Sequence, residues 1–197
     1  MKQVVQSVAV LLTGLISFGC SDSHTGPRDP QSPNYSVERA HGRNGFGFNG
    51  TIVTAAGEVV HLTGGGSFDP ASGNNTIPSA GTSGHANGGF SCLVDFTSTP
   101  LNGCAAGQGT HWDTVQLLES SGFKCGGVAN EKAKTATTGP GVFVANAEFY
   151  RAGDGDEASF HANMFVADHD LADDLLGVQN IWIQGVGCGT GVINFNN

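Results

Sequence analysis

The stretch VFVANAEFYR (Val142–Arg151), AGDGDE (152–157), ASFHANMFVA (158–167) decides the fold class. Each flank alternates apolar and polar residues with period two, the signature of a half-buried strand. The glycine- and aspartate-rich link between them is turn chemistry. Paired antiparallel with Arg151 opposite Ala158, Phe149 faces Phe160, Ala147 faces Ala162, Ala145 faces Met164 and Phe143 faces Val166. One face is then wholly apolar. A slip of one residue would set these side chains against polar partners, so the hydrophobic pattern specifies the register. The opposite face carries Tyr150 against Ser159, Glu148 against His161 and Asn146 against Asn163, with Val144 and Phe165 completing the stripe.

Similar short runs extend through the rest of the chain: Phe46–Thr54, Glu58–Phe68, His85–Phe96, His111–Leu118, Phe123–Val128, Asn180–Val186 and Val192–Phe195. Gly, Asn, Asp and Pro punctuate them at the spacing of an all-β sandwich or barrel. We expect a single antiparallel β domain of about nine strands over residues 44–197. Pattern alone leaves sandwich and barrel equally open. The one helical spacing is Asp170–Leu176, at most two turns. Composition agrees with such a domain. The 197 residues include 31 Gly, 12 Phe and only 13% charged residues, against about 7% Gly and a quarter charged in average proteins. The net charge of −9 argues against nucleic acid as a partner.

Residues 1–19 read as a secretory signal peptide: Lys2, then an apolar run from Val4 to Phe18, too short for a stable membrane span. It ends in Ile16-Ser17-Phe18-Gly19-Cys20, which resembles the lipobox of bacterial lipoproteins. This sequence has Ser17 where that motif usually has Leu. The resemblance implies diacylglycerol on Cys20 and a membrane partner through that lipid, at the outer membrane or cell surface. An ordinary signal peptidase site, with Ser17 and Gly19 as its small residues, would cut the same bond and leave the protein periplasmic or secreted. Residues 20–43 are Pro-rich, polar and aperiodic, the composition of a solvated tether.

Setting Cys20 aside leaves Cys92, Cys104, Cys125 and Cys188, an even set suited to an oxidising compartment. Of three possible pairings we expect Cys92–Cys104, closing a turn-rich loop, and Cys125–Cys188, tying the last strand to mid-chain. Zinc is the weaker reading, because the chain has no Cys-x-x-Cys.

The chemistry-bearing cluster comes from the same hairpin. Glu148 and His161 are close enough across strands to share a proton or a charge-assisted hydrogen bond. Tyr150, Asn146 and Asn163 surround them. In a barrel this face could line the lumen; in a sandwich it would meet solvent. The reading that follows is a binding or interaction module for a small ligand, glycan or envelope protein. The alternative is a hydrolase or isomerase using the Glu148/His161 pair. No cofactor is called for. Acids in the hairpin link (Asp154, Asp156, Glu157) and after its second strand (Asp168, Asp170, Asp173, Asp174) are the oxygen ligands Ca²⁺ would need. About 30 Å of strand separates the two groups, so they cannot form one site. His111 and Asp113, two apart on a strand, are a further weak metal or base pair. His61 and His85 share His-x-x-Gly-Gly-x-Ser, but antiparallel pairing would bring Gly65 near Gly88 rather than join the histidines. The chain lacks the Gly-x-Ser-x-Gly, His-Glu-x-x-His, P-loop and dinucleotide signatures.

Overall fold

The computed structural model describes residues 44–70, 86–126, 129–153 and 157–196. Ten strands run through them: β1 (Asn44–Val53), β2 (Val59–Phe68), β3 (Ala86–Cys92), β4 (His111–Leu117), β5 (Ser120–Phe123), β6 (Lys134–Thr137), β7 (Val142–Tyr150), β8 (Phe160–Ala167), β9 (Ile181–Ile183) and β10 (Gly187–Asn196). Eight close into an antiparallel barrel in the order β1-β10-β9-β8-β7-β4-β3-β2, and β5 and β6 form a separate two-stranded sheet. The barrel resolves the choice that sequence left open. The β7–β8 ladder has the expected register, from Phe149 opposite Phe160 to Val142 opposite Ala167. The ring closes where β1 pairs with β10 over nine residues. A closed barrel has no unpaired strand edge to protect.

The barrel interior is a packed apolar core. Phe46, Phe48, Ile52, Leu62, Phe68, Phe90, Trp112, Phe143, Phe149 and Met164 are all buried in it. One inner row explains the glycine content. Phe48 lies opposite Gly64, Gly88 lies opposite Trp112, and the β2–β3 ladder sets Gly64 beside Gly88. Two adjacent glycines leave a gap in the wall, and the Phe48 and Trp112 rings meet over it with centroids 6.0 Å apart. Trp112 Nε1 donates across β3 to the Thr63 carbonyl at 2.9 Å. A Cβ on Gly64 would collide with the indole. The expected Gly65–Gly88 approach is therefore one residue out; Gly64 is the partner. Gly191 and Gly50 make a second such gap, filled by Ile181, whose Cδ1 would sit 2.7 Å from a Cβ on Gly191.

A second core lies outside the barrel. The β5–β6 sheet packs Phe123 and Ala136 onto the outer side chains Val144, Phe165 and Trp182. Phe123 and Phe165 meet edge-on at 4.7 Å. This cover is why Val142–Ala145 and Met164–Ala167 are buried on both faces and lose their alternation. Cys125–Cys188 clamps the cover to β10, and Cys92–Cys104 closes its loop, the two pairings expected. β6, with one apolar residue in KTAT, escaped the sequence reading, and β5 starts three residues before the expected strand.

Asp170–Leu176, the one segment whose spacing allowed a short helix, forms none. Asp170 Oδ1 accepts the N–H groups of Ala172 (2.9 Å) and Gln179 (3.0 Å), which folds the segment into turns. Leu171 and Leu175 pack into the outer core while Leu176 points to solvent. Seven residues cannot offset the cost of helix nucleation without a common apolar face.

Glu58, buried at the end of the β1–β2 turn, is the chief polar anchor at that end of the barrel. Its carboxylate accepts the Ser98 hydroxyl, the Thr97 N–H at 2.7 Å, the Thr97 hydroxyl at 3.0 Å and the Ser98 N–H at 3.3 Å. The Ser98 hydroxyl and Thr97 amide hold its pKa down, from 4.5 to about 2. Because the folded value lies below the ordinary one, this anchor stabilises the fold fully above pH 4.5 and is lost as pH falls toward 2. Urea unfolding of the wild type should weaken over that window, and Glu58→Gln should remove that part of the slope while lowering stability at pH 7. For the glycine gap, Gly64→Ala should destabilise by about 1–3 kcal/mol through overpacking. Gly47→Ala, whose Cβ would meet nothing nearer than 3.9 Å, should change stability by less than about 0.5 kcal/mol.

Candidate functional site

Alternation along β7 and β8 sends Glu148, Tyr150 and His161 outward, away from the packed interior. The polar face therefore does not line a lumen. It forms part of a belt on the barrel exterior that crosses β3, β4, β7 and β8. Asn87 lies opposite Asp113, Asp113 opposite Glu148 and Glu148 opposite His161. One step along, His111 lies opposite Tyr150.

Contacts along and across the strands preset the belt's side chains. His161 Nδ1 stands 3.7 Å from Glu148 Oε1, with the two side chains 58% and 30% exposed. The Tyr150 hydroxyl donates to Glu148 Oε2 at 2.7 Å. The His111 imidazole stacks on the Tyr150 ring, centroids 4.4 Å apart and planes within 7°. His111 Nε2 also approaches Asp113 Oδ2 at 3.7 Å. The Glu148 carboxylate, through its hydrogen bond and its charge, pushes the Tyr150 pKa up to about 12, with burial and Asp113 adding to the rise. Two carboxylates, two imidazoles and a phenol thus share one half-exposed strip, able to donate and accept hydrogen bonds with a surplus of acceptors.

Asn146 and Asn163 have another task. Asn146 Nδ2 donates to Asn163 Oδ1 at 3.0 Å, and Asn163 Nδ2 donates to Ser121 Oγ on β5 at 3.2 Å. They fasten the outer cover to the barrel wall beside the belt. The pairing of His111 and Asp113 with the Glu148 cluster was not legible locally. It depends on β4 pairing with β7 across the whole β5–β6 insertion.

The remaining acids are dispersed. Asp154 and Asp156 lie outside the described residues, as do Cys20 and His85. Asp168 Oδ1 meets His169 Nδ1 at 2.7 Å on the surface. Asp170 is taken by two backbone N–H groups. Asp174 Oδ1 binds Lys134 Nζ at 2.9 Å, and Lys134 also reaches Glu131 at 2.9 Å. Among the described residues no group of three or more His, Cys, Asp or Glu is arranged to hold a metal ion. His61 Nε2 meets Asn49 Oδ1 at 2.8 Å on the exterior, apart from the glycine gap.

A second surface feature had no sequence signal. An apolar groove of about 510 Å³ runs between the β1/β10 wall and the 174–179 turn, lined by Val53, Leu175, Leu176, Val178 and the Cys125–Cys188 bridge.

Two disulfides are the chemistry of an oxidising, extracytoplasmic compartment. Among the described residues no helix is long and apolar enough to cross a membrane. In a Tyr35→Phe background, which leaves Tyr150 as the sole tyrosine, ultraviolet titration should place Tyr150 near 12. Glu148→Gln should bring it back toward 10; a titration unmoved by that change would break the Tyr150–Glu148 assignment. No protein-family model matches the chain, and no curated protein or solved structure shows significant similarity to it.

Proposed function

We propose that the chain is an exported, lipid-anchored bacterial envelope protein whose disulfide-stapled barrel is a rigid binding module, and that the belt around Glu148 binds an envelope glycan. The observation that carries this reading is the filled barrel interior. Trp112, Phe143, Phe149 and Met164 are fully buried there, so recognition falls to the outer surface. On that surface the belt offers oriented acceptors and donors beside a stacked aromatic pair, which suits a ligand rich in hydroxyl groups. Contacts along and across the strands hold these side chains in place before a ligand arrives, which lowers the ordering cost of binding. The lipobox-like Cys20 and the even count of remaining cysteines support anchoring.

Glu148 with His161 as catalytic acid and base, in a hydrolase or isomerase, is the second reading, and their 3.7 Å approach favours it. Against it, both groups stand on the exterior, where water competes for each hydrogen bond.

Intact mass of protein extracted from membranes tests the anchor. It should begin at Cys20 and carry diacylglycerol; a mass without lipid overturns that part. Binding to a bacterial glycan array tests the belt. Glu148→Gln and Tyr150→Phe should each weaken binding about tenfold or more, while His61→Ala, on β2 outside the belt, should not. Undiminished binding by Glu148→Gln would remove the belt from the proposal. Turnover of a bound glycan that Glu148→Gln abolishes would favour the enzyme reading.

A further inference from the structure

We infer that Cys125–Cys188 is a site of thiol–disulfide exchange, that its reactant is a dithiol, and that the bridge is the latch of a flap formed by the β5–β6 sheet. The two bridges differ in setting. Cys92–Cys104 lies within the barrel core, its residues 0% and 2% exposed. Cys125–Cys188 stands in the outer core, at 7% and 5%, beside two surface hollows. Both of its cysteines line the groove of about 510 Å³. Cys125 also lines a second hollow of about 290 Å³, together with Lys124, Gly126 and Gly187. Cys92 and Cys104 line neither. Exchange requires a thiol to reach the sulfur, so access separates the two bridges.

The β5–β6 sheet is rooted at one end and latched at the other. At its root, the Leu118 N–H donates to the Val144 carbonyl at 2.9 Å, and the Thr138 N–H donates to the Glu119 carbonyl at 2.9 Å. The Thr138 hydroxyl adds a bond to the Leu118 carbonyl at 2.5 Å. The bridge sits at the far end, two residues past Phe123, and ties the sheet to β10. Under the sheet lie Val144, Phe165 and Trp182. Trp182 Nε1 donates to the carbonyl of Lys124, next to Cys125, at 3.1 Å. No residue of β5 or β6 belongs to the barrel core. The barrel therefore keeps its own packing when the sheet lifts, which makes the opening local.

The dithiol's first thiolate enters through the larger hollow and attacks Cys188 Sγ. A mixed disulfide forms there, the Cys125–Cys188 bond breaks, and Cys125 leaves as a thiolate. Lys124, which shares the smaller hollow with Cys125, favours that anion. Glu131 accepts the Cys125 and Gly126 N–H groups at 2.7 Å each, and its charge is paired with Lys134 at 2.9 Å. The Cys125 thiolate takes a proton from water. The dithiol's second thiolate then attacks its own first sulfur, closes an internal disulfide and releases Cys188 as a thiol. The bridge gains two electrons and two protons, and the dithiol gives up the same.

The test is reduction of the folded mature chain by dithiothreitol without denaturant. Every sample carries Cys20→Ser, so that no acyl chain or fifth thiol contributes. Iodoacetamide quenching at intervals, read by peptide mass, should show Cys125 and Cys188 opening at least about tenfold faster than Cys92 and Cys104. Tryptophan emission should shift to the red as they open. Trp182→Phe should abolish that shift, because the remaining Trp112 is buried in the barrel. Amide hydrogen exchange should quicken in β5 and β6 and stay slow in β1 and β2. Equal opening of the two bridges overturns the inference. So does opening of Cys125–Cys188 that leaves β5–β6 exchange unchanged, or that quickens β1 and β2 in step, which is global unfolding.

Discussion

Phe48 and Trp112 meet over two adjacent glycines, and the barrel's shape depends on that contact. An eight-stranded barrel encloses only enough room for side chains to fill. The buried rings in it include Phe46, Phe48, Phe68, Phe90, Phe143, Phe149 and Trp112. Gly64 and Gly88 make a recess in which the indole lies against the backbone and reaches the Thr63 carbonyl. Gly50 and Gly191 do the same for Ile181. Large rings and missing side chains are therefore one packing solution, since a close-packed interior has no room for both a ring and a Cβ at the same place.

A filled interior displaces function to the outside, and the outside is divided. The β5–β6 sheet covers the upper half of β7 and β8 and is held by Phe123, the Asn146–Asn163–Ser121 chain and the Cys125–Cys188 bridge. Below it the polar belt stays in water. Beyond it the 174–179 turn, secured through Asp170 and Lys134, stands beside an apolar groove. The same bridge that clamps the cover also lines the groove, so the second core and the apolar surface share one covalent link.

Local pattern made the β7–β8 hairpin legible, because a period-two alternation with a turn between has one register that buries every apolar residue. It failed at β6, where KTAT owes its strand to pairing with β5 and to a single buried Ala136. It failed again at Asp170–Leu176, where leucine spacing suggested a helix but the aspartate's bonds to two amides imposed turns. Val144 and Phe165 do finish the outer stripe, opposite one another, but a distant segment covers them and takes them out of water. Half of the candidate belt was readable: Glu148, His161 and Tyr150 sit in one hairpin. Asp113 and His111 join them only through a strand pairing that spans the inserted sheet.

The sequence by itself determined the strand class, the hairpin register and the even set of four cysteines, for each follows from spacing between near neighbours or from parity. Closure of the sheet, the choice of exterior over lumen for Glu148 and His161, and the exposure of Leu176 were decided by the tertiary structure. The physical reason is volume: which face of an alternating strand points inward depends on what the far side of the ring brings to fill the centre, and here the apolar face of every wall strand was needed there.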